Sequence, residues 1–230
     1  MNERTRPRVA GLIVLGLILA VLGTIVVGIA LQKPDDDPIE ITGAGTVQRL
    51  MGGIEQEGAV LGDADAPVAV EVFNDLQCPD CADYQLDEIT PLIEGPVRAG
   101  DVKLVFHHFS FSARQTTLSA YASVAAGAQG RQWQYLQLFY INQDEAQEKG
   151  VTDELLERIA SGVLELDLEQ WQEDRESDEV ADAVVADAEL AAQRKLPAQP
   201  AVVVTGPNQT RELVESPTLA EIEAAIDEVG

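Results

Sequence analysis

Apolar residues along this chain follow three patterns in turn: one unbroken run, several short Val-rich runs, and stretches spaced like one face of a helix. The unbroken run is Val9–Leu31, which carries no charge. It is long enough for a helix to cross a hydrocarbon core of ~30 Å. Arg4, Arg6 and Arg8 precede it and Asp35, Asp36 and Asp37 follow, so the basic flank is expected to stay cytoplasmic with the rest outside. Gly28-Ile29-Ala30 loosely resembles a small-x-small cleavage site. The apolar core of a secretory signal usually runs only ~7–15 residues, however, and an uncleaved anchor is the expectation. Residues 1–8 then form a cytoplasmic N-terminus, 9–31 a transmembrane helix, and 32–57, with their Pro, Gly and charge, a linker.

The segment 58–230 is of a size to fold as one domain with its own core. Val68–Phe73 and Val102–Phe106 read as strands buried on both faces. Between them Ala82–Ile93 reads as a helix whose inner face holds Tyr84, Leu86 and Ile89, with Gly95 and Gly100 bracketing a break. Strand, helix, strand in this order predicts a parallel pair. A long stretch without strand signals follows, about 112–195. Ala113–Ala128 is rich in Ala and Ser and is closed by Gly130, while Arg131–Ile141 brings Trp133, Tyr135, Phe139 and Tyr140. Thr152 is placed to cap a helix carrying Leu155, Leu156, Ile159 and Val163. Trp171 and Ser177–Lys195 complete a helical subdomain whose aromatic residues are expected to be core. Ala201–Val204 and Thr210–Val214 form a hairpin across Gly206-Pro207-Asn208. Ser216-Pro217 is expected to start the last helix, with its apolar stripe of Leu219, Ile222, Ile226 and Val229. The sum is β-α-β, an all-helical insertion, then β-β-α: an α/β domain.

Charge narrows the partners. Against 40 Asp and Glu stand 15 Lys and Arg, a net charge of −25. Such a surface repels phosphate backbones and excludes nucleic acid.

The chemistry rests on two cysteines, the whole thiol content of the chain, in Phe73-Asn74-Asp75-Leu76-Gln77-Cys78-Pro79-Asp80-Cys81. Cys78 falls where strand gives way to helix. Unpaired N–H groups and the helix dipole favour negative charge there, and the thiolate is the reactive form of a thiol. Pro79 suits the first helical position. Cys81 lies one turn further in, close enough to form a disulfide with Cys78. Cys78 is therefore expected to be the exposed nucleophile and Cys81 the buried resolving thiol. Asp80 opposes the thiolate by ~1 kcal/mol or less, making the pair less oxidising than a version with His in its place. A zinc site would need His107 and His108 as further ligands, but adjacent strand residues point to opposite faces. Both histidines are expected to be structural.

These residues resemble the DsbA-like branch of the thioredoxin superfamily, in its membrane-anchored bacterial form. The likeness spans 58–230. It is carried by Leu61-Gly62-Asp63-Ala64-Asp65-Ala66-Pro67-Val68, by the Phe73–Cys81 segment, and by Gly130-Arg131-Gln132-Trp133. The resemblance implies a thioredoxin-like fold with an inserted helical subdomain, and a cis-proline loop facing the nucleophile. Pro200 in Leu196-Pro197-Ala198-Gln199-Pro200-Ala201 matches that proline, and the Gln199 backbone would pair with an extended client peptide. Two positions depart from the family pattern. Gln199 stands where Thr is frequent. Val72 occupies the slot, six residues before the first cysteine, where many members carry a buried Glu; Glu71 is one residue off and on the other face.

The function so implied is an extracytoplasmic thiol–disulfide oxidoreductase that oxidises the thiols of exported proteins. It would be reoxidised by a quinone-linked membrane partner of the DsbB or VKOR type and would need no cofactor beyond the Cys78–Cys81 disulfide. Reductases and isomerases share this design, since direction depends on potential rather than motif. A thiol-based metallochaperone or assembly factor, and a scaffold whose disulfide merely stabilises a helix start, are the readings from other classes.

Overall fold

In a computed structural model, residues 40–110, 114–213 and 216–230 are described. The anchor expected over Val9–Leu31 lies outside them. Among the described residues no helix is long and apolar enough to cross a membrane.

The first elements are helix α1 (Ala44–Met51) and a short hairpin, β1 (Gln56–Glu57) with β2 (Val60–Leu61). α1 and β1 lie in the stretch 32–57 expected to be linker, and β2 just beyond it. α1 belongs to the core because Val47, Leu50 and Met51 form one buried face. Its i, i+3, i+4 pattern is only one turn long, and the Gly-rich surroundings hide it. Strand β3 (Val68–Asn74) leads into helix α2 (Pro79–Tyr84), which continues to Val97 through two stretches of wider turns, Gln85–Ile89 and Ile93–Val97. Pro91 and Pro96 offer no N–H to a regular ladder, so the helix widens rather than ending at Ile93 as expected. β4 (Val102–His108) follows.

Six helices come next: α3 (Arg114–Ala128), α4 (Gln132–Ile141), α5 (Gln143–Lys149), α6 (Asp153–Ser161), α7 (Leu168–Asp174) and α8 (Asp178–Arg194). Gly130 stops α3 in the left-handed region, φ 66°, where a Cβ would stand 3.0 Å from the Gln56 carbonyl oxygen. Thr152 caps α6 by accepting from Leu155 N–H at 3.2 Å. Trp133 and Trp171 are buried, and their indole N–H groups donate to Ala59 O and Ala122 O, each at 2.8 Å. The aromatic cluster is core.

The chain closes with β5 (Ala201–Thr205), β6 (Thr210–Leu213) and α9 (Leu219–Val229). The last helix starts two residues later than Ser216 would have it. Ser216 is left-handed at φ 59°, and Thr218 is the cap, in a reciprocal box with Glu221. The six strands form one sheet in the order β1-β2-β4-β3-β5-β6. Only β3 and β4 run parallel. Alternation along β3 and β4 divides the side chains between two faces. Val70, Val72, Leu104 and Phe106 join the main core with α2, α4 and α9, whereas Phe73 packs with Ala191 and Leu196 beneath α8. This is a thioredoxin-like α/β fold with a helical insertion.

Candidate active site

The register of the sheet sets the site. Phe73 of β3 pairs with Ala201 of β5, so Pro200 lies at the end of the sheet from which Asp75–Cys78 emerge. At that end β3 stops because Asn74 and Asp75 are poor strand formers. Asp75 caps the turn, its Oδ1 accepting from Gln77 N–H at 2.9 Å and its carbonyl from Cys78 N–H at 3.2 Å. Cys78 is then the N-cap of α2, extended at φ −83° and ψ 118°, with Pro79 in the first turn.

Both thiols are free. Cys78 is half-buried, and its sulfur accepts the backbone N–H of Cys81 at 3.3 Å. The sulfur thus occupies the N-cap acceptor position, which suits a thiolate better than a thiol. Cys81 is fully buried. Burial pushes its thiol far above the ordinary range, with the hydrogen-bonded Cys78 sulfur adding to the shift and a backbone bond from Asp75 opposing it. The pair is asymmetric: one sulfur reaches solvent in an anion-favouring position and the other is held neutral. Asp80 is exposed on the first turn of α2. The Gln199–Pro200 peptide is cis. Pro200 is buried and Gln199 half-buried.

Beside Cys81 sits a buried polar layer that the pattern of residues did not reveal. Asn74 Nδ2 donates to Cys81 O at 3.3 Å. Asp75, His108 and Tyr140 are buried with it. Burial lowers His108 to about 4, against the pull of Asp187 and Asp75. Tyr140 is raised by burial first, with the neighbouring Cys81, Asp75 and Cys78 acting in the same sense. His107 turns to the other face, as strand geometry requires. Burial alone would lower it, but a 2.7 Å bond from Nδ1 to Asp187 and a 3.4 Å ion pair with Glu71 raise it to about 9. Glu71 also takes Arg194 at 2.8 Å. It is committed to that face, and the position beside it toward the cysteines is the fully buried Val72. The histidines are therefore separated from each other by the sheet.

A second contribution comes from α5. Gln143 Nε2 donates to Leu76 O at 2.7 Å and to Cys78 O at 2.9 Å, and Gln147 Nε2 donates to Gln77 O at 2.9 Å. The i, i+4 spacing of the two glutamines was the available signal, and it says nothing of what they face.

A family model described as thioredoxin matches residues 55–228. The chain belongs to the thioredoxin family. A relative from Bacillus anthracis, named "Probable disulfide bond formation protein D", is 30% identical over 209 residues, covering 90% of this chain and 91% of the relative. Among solved structures, oxidised BdbD from Bacillus subtilis superposes with a TM-score of 0.65 at 24% identity, over 76% of this chain and 96% of that one. The alpha-DsbA1 of Wolbachia pipientis gives 0.64 at 19% identity, over 74% of this chain and 89% of that one. These structures share the fold. Within the thioredoxin family the chain is a DsbA-like thiol–disulfide oxidoreductase.

Proposed function

We propose that this oxidoreductase works outside the cytoplasm, anchored by Val9–Leu31, and donates its Cys78–Cys81 disulfide to exported proteins. A client thiolate attacks Cys78 Sγ and the Cys78–Cys81 bond breaks. Cys81 Sγ leaves with the electron pair and takes up a proton. The client's second thiolate then attacks the client sulfur of the mixed disulfide, forming the client disulfide and releasing Cys78 as thiolate. The observation that carries this reading is the contrast between the two sulfurs. Cys78 is accessible and accepts a backbone N–H at the helix cap, while Cys81 is sealed below it. Attack from solvent is thereby directed to Cys78, and a thiolate stabilised in the reduced state makes the disulfide the stronger oxidant.

Gln199 and the cis Pro200 border the same end of the sheet and are assigned to the client backbone. Pro79 and Asp80 tune the nucleophile. The dithiol left after each turnover is reoxidised by a quinone-linked membrane partner of the DsbB or VKOR type. The named relative supports the direction of electron flow, since its name refers to disulfide bond formation. No further cofactor takes part.

The deciding experiment combines a reduction potential, set by glutathione equilibration, with trapping of mixed disulfides by Cys81→Ala in the full chain. An oxidase gives a potential well above the ~−270 mV typical of thioredoxin, toward the ~−120 mV of a strong oxidant, together with trapped exported proteins. A value at the thioredoxin end would make the enzyme a reductase.

A further inference from the structure

Three consecutive carbonyl groups, those of Leu76, Gln77 and Cys78, lie on the turn that leads into the nucleophile. Among the described residues, no backbone N–H reaches the first two. Their partners come instead from the helical insertion, from Gln143 and Gln147 of α5. Gln143 is buried and its single amide nitrogen serves two acceptors, the carbonyl two residues before the nucleophile and the nucleophile's own. An amide NH2 has two protons, so both bonds can be made at once. The opposite orientation would set the amide oxygen against two carbonyl oxygens, which fixes the direction of donation. The Cys78 carbonyl further accepts from Cys81 N–H at 3.1 Å and from Ala82 N–H at 3.2 Å.

A carbonyl of the buried loop left without a donor is itself costly and opposes negative charge on the residues it adjoins. A donor on that oxygen removes the opposition. We propose that Gln143 is a positioning residue for disulfide exchange. By donating to Leu76 O and Cys78 O, it holds the active-site loop in the arrangement that favours the reduced pair, and with it the oxidising power of the disulfide. Gln147 does the same more weakly at the Gln77 carbonyl, from an exposed position. The insertion is therefore a part of the redox centre as well as a cover for the core. This inference rests on the thiol–disulfide reading of Cys78 and Cys81.

The test compares the full chain with Gln143→Met, which keeps the length and apolar bulk of the side chain and loses the donors. Both are equilibrated with reduced and oxidised glutathione, and Cys78 is alkylated with iodoacetamide near neutral pH. The expected result for Gln143→Met is a shift of the equilibrium toward the protein disulfide by about tenfold, or ~30 mV for a two-electron couple, with slower alkylation. Gln143→Lys, which restores a donor, should recover part of the shift. If Gln143→Met leaves the equilibrium constant within about twofold of wild type and destabilises the oxidised and reduced forms equally, the amide is purely structural and the proposal falls. Should Gln143→Met fail to fold, Gln147→Met carries the same test: a shift of about twofold in the same sense supports the proposal, and an unchanged constant overturns it. A wild-type protein whose disulfide does not exchange with glutathione would instead sink the thiol–disulfide reading itself.

Discussion

His107 and His108 are neighbours in sequence, yet one is raised to about 9 and the other lowered to about 4. The difference lies in the two faces of the sheet. Beneath α8, His107 meets Asp187 and Glu71, and Glu71 in turn holds Arg194, so every charge has an opposite charge within reach. On the cysteine face, Asn74 Oδ1, His108 Nε2 and Tyr140 OH have no hydrogen-bond partner among the described residues. The paired face ties helix to sheet. His107 Nε2 and Arg194 Nε on the α8 face lack a hydrogen bond among the described residues as well, so the faces differ in charge balance: beneath α8 the carboxylates outweigh burial, whereas on the cysteine face burial outweighs them and keeps His108 neutral.

The comparison can be broken at several points. The largest effect belongs to the cysteine face: Cys78→Ser should abolish disulfide exchange with client and glutathione alike. Cys81→Ala should leave Cys78 open to alkylation while mixed disulfides accumulate. Residual oxidation of a reduced client by Cys78→Ser would refute the assignment of the nucleophile.

The histidines predict opposite pH limbs in stability. His107 has its pKa raised above 6.5, so its contribution is complete below pH 6.5 and is lost as pH rises through about 9. His108 is lowered, so it stays neutral in the folded protein while the unfolded chain takes up a proton. Stability from this group therefore falls as pH drops from 6.5 to about 4. Each limb is on the order of 1–3 kcal/mol. Urea midpoints measured across pH should show that His107→Gln flattens the alkaline limb and His108→Asn the acid one. If one substitution altered both limbs, the sheet would not separate the two environments.

A smaller effect tests the α8 face alone. Glu71→Gln leaves Arg194 and His107 without their shared carboxylate and should cost about 1–2 kcal/mol, given that the pair is partly screened by solvent. The glutathione equilibrium should not move, because the sheet lies between Glu71 and the sulfurs. A changed potential would show that the two faces are coupled. The smallest effect is expected at the exposed Asp80. Asp80→His should make the disulfide more oxidising by ~1 kcal/mol or less. An unchanged or lower potential would mean that solvent screens the carboxylate completely.

The sulfur chemistry and the order of elements were legible from residue pattern because they depend on local rules. Val-rich runs announced β3, β4 and β5. The placement of Cys78 between a strand and a Pro-led helix announced an N-cap thiol, and helical spacing announced the insertion. Local signals also misled where they were short. One turn of apolar spacing concealed α1 inside what reads as linker, and Ser216-Pro217 mimicked a helix start that the Thr218–Glu221 box takes over.

Within the chain itself, alternation along β4 was enough to send His107 and His108 to opposite faces, because successive strand side chains must diverge. What each histidine meets there was beyond its reach. Asp187 and Arg194 come from a helix some eighty and more positions away, Tyr140 from the insertion, and Gln143 reaches the Leu76 and Cys78 carbonyls across more than sixty residues. Charge state and hydrogen-bond pairing are set by neighbours in space, and only the packing of the insertion against the sheet brings those neighbours together.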